Sequence, residues 1–148
     1  MLRTCLELSA RLQWASYRRH PWLPQVISLT RPQALTNLFR LAEWSFAALE
    51  DHGLDQTELF DVHLTLCTYV RGVAIGIAPE AEAEADTGMS GDDWVETVDD
   101  VNEMIATGPF PALRRVGARG NYTLDLDRLF EFGLRRLLDG LTGLVEPG

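Results

Sequence analysis

His63 and Cys67 stand four residues apart in "LDQTELFDVHLTLCTYVRGVA", so on a helix they share one face. An imidazole beside a thiol fits two chemistries: a base activating a nucleophile, or a pair of soft metal ligands. Both need a third positioned group, and none accompanies the pair at a matching spacing. A third reading is therefore a small polar pair lining a core or pocket. His20 and His52 fall at helix ends, where a cation suits the helix dipole and no further role is needed. The residue pattern calls for no metal and no cofactor. Arg31 and Glu43 are further polar groups that could orient a ligand, with plain solvated positions as the alternative.

These residues need elements to hold them. Apolar residues recur at three and four over 2–19, which predicts a helix. "RRHPWLPQVISLTRP" (18–32) then carries Pro21, Pro24 and Pro32 among Trp22, Leu23, Val26, Ile27 and Leu29. Prolines break helices, yet this stretch is too apolar for a solvated loop. A second helix is expected from about 32 to 51, with Thr30 and Gln33 as a capping box and Gly53 as its stop. Asp55 with Glu58 opens a helix reaching about 78. "APEAEAEADTGMSG" reads as a solvated extension or loop. A helix over 92–106, opened by Ser90 and Asp93, a helical turn at 112–117 and a last helix over 125–145 complete an all-α chain. No stretch reads as a strand.

A chain of 148 residues suits one domain with one core. Its 13 basic and 22 acidic residues give a net charge of −9. The acidity is local: ten acidic residues and no basic one lie between Glu80 and Glu103. Nothing forms the basic face that phosphate neutralisation needs. Cys5 and Cys67 make no disulfide framework. The apolar run 59–78 has the length of a membrane span, but Asp61, His63 and Arg71 inside it are costly in hydrocarbon. The expectation is a cytoplasmic protein with no membrane partner.

Broken geometry among aromatics leaves imperfect packing, and helical bundles place ligand cavities between helices. Trp14, Tyr17 and Trp22 flank the broken segment. With Gln13, Phe39, Phe60, His63, Leu64 and Cys67 they are expected around one cavity. The last helix carries Leu126, Phe130, Gly133, Leu137, Leu141 and Leu144 as a stripe, with Gly140 seven residues after Gly133. The helix at 55–78 offers Gly72, Val73, Gly76 and Ile77. Interior glycines cost about 1 kcal/mol each relative to alanine, so close helix approach is their expected use, here across a homodimer interface, with packing of the last helix in its own core as the alternative.

The ordered set "RRHPWLPQVISLTRP", "LDQTELFDVHLTLCTYVRGVA", "EAEAEADTG" and "LDLDRLFEFGLRRLLDG" resembles the C-terminal regulatory domain of TetR-type transcriptional repressors, over about Leu2 to Leu144. The resemblance implies an all-α domain dimerising through a four-helix bundle, with a small-molecule effector pocket whose occupation releases operator DNA. It implies that the Pro-broken segment walls the pocket and that the Thr30–Arg31–Pro32 turn helps hold ligand. It also implies that Gln13 and the His63–Cys67 face point inward and that Glu43 is pocket-facing. Ile27 stands where tetracycline repressors carry a magnesium-coordinating histidine, so a mostly apolar effector is expected in place of a metal–drug complex. DNA contact is expected only through a helix-turn-helix domain, which these residues lack.

Overall fold

The computed structural model describes residues 2–28, 31, 33–117 and 125–145, and its regular structure among them is all helical. The first helix, α1 (Leu2–Arg19), buries Leu2, Leu6, Ala10, Gln13, Trp14 and Tyr17. These recur at three and four residues, which keeps them on the inward side. Arg18 and Arg19 fall in its last turn, where cations suit the dipole.

The Pro-rich stretch holds one helical turn, α2 (Leu23–Val26), with proline at its start, where the missing N–H costs nothing. Arg71 Nε donates to the Pro24 carbonyl at 2.7 Å and ties this turn to the fourth helix. The next helix, α3 (Thr36–Leu49), starts later than the sequence suggests. Leu35 is extended (φ −99, ψ 112) and caps it without a side-chain bond. Gln33 stays outside the helix, its carbonyl accepting from Leu35 N–H, and Thr30 lies outside the described residues. After α3 a single 3-10 turn (Glu50–His52) ends at Gly53, whose φ of 74 is the left-handed stop expected of glycine.

The fourth helix, α4 (Gln56–Ala74), opens on the expected capping box, with both Asp55 and Glu58 side chains engaged. The acidic stretch after it is a helix, α5 (Ile77–Thr87), not a loop. Its Ala–Glu alternation has high helix propensity, and Pro79 sits in the first turn, where it is tolerated. The Ser90–Asp93 capping box also forms. The helix expected over 92–106 is broken at Val98 (φ −85, ψ 80) into α6 (Gly91–Thr97) and α7 (Asp99–Thr107). The short α8 (Pro111–Gly117) and the long α9 (Leu126–Val145) follow.

The chain folds as two compact units, Met1–Ala78 with Leu126–Gly148, and Pro79–Asp125. In the first, α1, α4 and α9 share one core, in which Leu6, Leu66, Val70, Phe130, Leu134 and Leu138 are almost wholly buried. By length and composition the helical stretch Gln56–Thr87 could cross a membrane. Val62, Leu66, Val70 and Ala74 of that stretch are instead built into this core. In the second unit Arg114 Nη1 donates to the carbonyls of Ile105, Ala106 and Gly108, closing the C-terminal end of α7. No described residue of that unit is fully buried.

The α1–α9 contact is antiparallel and pinned by polar pairs. Arg3 meets Asp139 at 2.7 Å, Arg11 bridges Glu7 and Glu131, and Trp14 Nε1 donates to Asp127 at 2.7 Å. Exposed ion pairs of this kind contribute little energy; their regular succession fixes register.

Candidate functional site

The inner faces of α1, α3 and α4 diverge beside the Pro-rich connector and leave a cavity of about 140 Å³. Gln13 and Tyr17, one turn apart on α1, form one wall. His63, Leu64 and Cys67 of α4 form the opposite wall. Leu38, Phe39, Leu41 and Ala42 of α3 close a third side, with Ile27, Ser28 and Gln33 from the connector. An adjoining cavity of about 520 Å³ shares Gln13, Tyr17, Ile27, Leu38 and Leu41 and extends along α1 to His20 and Leu23.

Burial sets the protonation of the polar wall. The His63 imidazole is pushed below its ordinary value by desolvation. The Cys67 thiol is pushed up to about 11 by burial, partly opposed by a hydrogen bond from Gln13. Burial also raises Tyr17, helped by Cys67 and opposed by Arg71. Cys67 Sγ and His63 Nε2 are 3.7 Å apart. At neutral pH this is a thiol beside a neutral imidazole, not the thiolate that nucleophilic catalysis needs. His63 Nδ1 is buried with no hydrogen-bond partner among the described residues, a state that costs about 1–3 kcal/mol unless something satisfies it. No group of three or more His, Cys, Asp or Glu that could hold a metal occurs among the described residues.

The structure thus gathers six of the expected pocket residues: Gln13, Tyr17, Phe39, His63, Leu64 and Cys67. Others lie elsewhere. Trp14 is turned away from the cavity toward α9, where it stacks on Phe130 at 4.5 Å and bonds Asp127. A residue one position from Gln13 points about 100° away, which separates the two. Trp22 is exposed against the edge of His20. Phe60 is half exposed and packs on Phe46. Glu43 and Arg31 do not line the cavity, and the Arg31 backbone N–H donates to Ser28 Oγ. Thr30 lies outside the described residues. The wall also includes Ser28, Gln33, Leu38, Leu41 and Ala42, which the sequence pattern does not single out as site residues. The apolar excess on α3, wide enough for two faces, is the available signal for its three.

The stripe expected at a dimer interface is mostly internal. Phe130 and Leu141 are buried, and so is Ile77. Gly133 faces Tyr69 of its own chain: a Cβ there would lie 2.8 Å from the Tyr69 ring. That closeness lets Tyr69 Oη donate to the Leu129 and Phe130 carbonyls at 3.1 and 2.8 Å. Gly76 approaches Leu126, and Val73 and Leu137 pack on the core from its margin. Gly72 and Gly140 have nothing nearby, and Leu144 is exposed. The open face of α9 keeps Gly140 and Leu144 of the expected stripe and adds Leu129, Phe132 and Gly143; Gly72 of α4 and Ile75 at its C-terminal cap are also open.

The chain matches the family described as tetracyclin repressor-like, C-terminal domain, over residues 2–145. It is 34% identical over 144 residues to the HTH-type transcriptional repressor DrrR1 of Streptomyces coeruleorubidus. That alignment covers 97% of this chain and 52% of the repressor. The chain therefore spans about half the length of the curated relative it matches.

Proposed function

This chain belongs to the tetracyclin repressor-like C-terminal domain family, a family of transcriptional regulators and not of enzymes, and on that premise we propose that it is the effector-binding and dimerisation domain of a TetR-type repressor. The cavity between α1, α3 and α4 carries the reading. It is concave and mostly apolar, with a few convergent polar groups, as small-molecule sites are. Its effector is a small, mostly apolar molecule. Both compact units act as one regulatory domain, since the family match runs through both. DNA is contacted through a helix-turn-helix outside these residues, in the cytoplasm.

Control follows from differential affinity. An effector that binds better to the conformation with misplaced DNA-reading heads shifts the population off DNA. Here α1 is the element placed to transmit that change. One of its faces walls the cavity through Gln13 and Tyr17, and another is latched to α9 through Arg11 and Trp14. The dimer forms through the open faces of α4 and α9.

Native mass spectrometry of the protein purified from its host should show a co-purified small molecule. The same molecule should release operator DNA from the protein carrying its helix-turn-helix. A ligand that binds without affecting DNA retention would point to a stand-alone binding protein instead.

A further inference from the structure

The two adjoining cavities share an unusual wall. A quarter of the chain is charged, 24% of its residues, yet no Asp, Glu or Arg lines either cavity among the described residues. The polar groups present are amide, hydroxyl, thiol and imidazole. Arg71 Nε is given to the Pro24 carbonyl, and Arg31 and Glu43 line neither cavity. His20, which borders the larger cavity, is exposed at the end of α1. The smaller cavity, at about 140 Å³, is below the usual range for a ligand site, while the larger, at about 520 Å³, is within it.

We infer that the effector is an electrically neutral molecule reaching across both cavities, and that Gln13 on their shared wall determines this specificity. An ion settling against this wall would give up part of its hydration shell and find no counter-charge among the lining side chains. A neutral hydroxyl or carbonyl loses less and is repaid by hydrogen bonds. Gln13 is placed to supply them. It is 7% exposed, its amide nitrogen makes a long 3.5 Å contact to the Ser9 carbonyl, and a carboxamide both donates and accepts. Burial keeps His63 and Cys67 uncharged beside it. The inference rests on the cavity being the effector site.

Calorimetric titration with 2-naphthol, 2-naphthoate and 2-naphthylmethylammonium tests it. At pH 8 the three probes differ in charge: naphthol is neutral, the carboxylate negative and the ammonium positive. Naphthol should bind at least tenfold more tightly than either ion. In Gln13→Glu the ranking of naphthol and the ammonium should reverse. Leu64→Trp, which fills the smaller cavity, should weaken naphthol at least tenfold. If either ion matches naphthol on the parent protein, charge exclusion is wrong while the cavity reading survives. If none of the three binds, both readings fall. Should Gln13→Glu fail to fold, the ranking on the parent still decides.

Discussion

At the scale of single residues, Gly133 shows how a small side chain is spent. Interior glycine costs about 1 kcal/mol against alanine in a helix, and here it admits the Tyr69 ring, whose hydroxyl bonds two carbonyls of α9. Gly133→Ala should destabilise the protein by about 1–3 kcal/mol through overpacking. Adding Tyr69→Phe should return part of that loss, a coupling a double-mutant cycle in urea would reveal. Strict additivity would mean the two residues do not oppose each other. His63 makes a second residue-scale prediction. Its folded pKa lies below the ordinary 6.5 because burial disfavours the cation. The unfolded chain therefore binds the proton first, so stability is full above 6.5 and declines as pH falls through the window beneath it. The melting temperature should drop more steeply between about pH 7 and 5 for the parent than for His63→Gln. Equal slopes would show that His63 is not desolvated.

At the scale of elements, α4 is the central piece. One side supplies Val62, Leu66 and Val70 to the core, and another supplies His63, Leu64 and Cys67 to the cavity. Its start is fixed by the Asp55–Glu58 capping box. Asp55→Ala should cost about 1 kcal/mol, read as a lower urea midpoint, with naphthol binding unchanged because Leu59 to Cys67 are held by packing further along. A loss of binding equal to the loss of stability would mean the cap positions the cavity wall directly. Two element expectations fail for identifiable reasons. Composition makes the 79–87 stretch look like a solvated tail, yet alanine and glutamate are good helix formers and a solvated helix needs little else. Apolar spacing carries the 92–106 pattern straight through Val98, because spacing does not register a break in backbone angles.

At the scale of the molecule, the open faces of α4 and α9 set the oligomer prediction. Phe132 is 56% exposed under the Arg136 guanidinium, and Leu144 is 64% exposed. Light scattering after gel filtration should give a dimer for the parent. Phe132→Glu should give a monomer, since an unpaired charge at an apolar contact is heavily penalised. Gly140→Leu should do the same by overpacking the crossing of the two final helices. A monomeric parent at micromolar concentration would remove the interface altogether.

The all-α class, the two long helices, the capping boxes at Asp55 and Ser90 and the glycine stop at Gly53 are legible in the sequence, because each rests on contacts within a few residues. So is part of the candidate site: Gln13 with Tyr17 and His63 with Cys67 are one turn apart, and helical spacing alone puts each pair on one face. Tertiary structure decides which way those faces turn. Trp14 belongs to the α9 contact and Gln13 to the cavity, although they are neighbours, because the rotation of α1 about its axis is set by what it packs against. Gly133 serves Tyr69 of the same chain, and Gly140 lies open seven residues on. A periodic pattern marks that a stripe exists. Only the placement of α1, α4 and α9 around one core determines whether it meets that core, a ligand or a second copy of the chain.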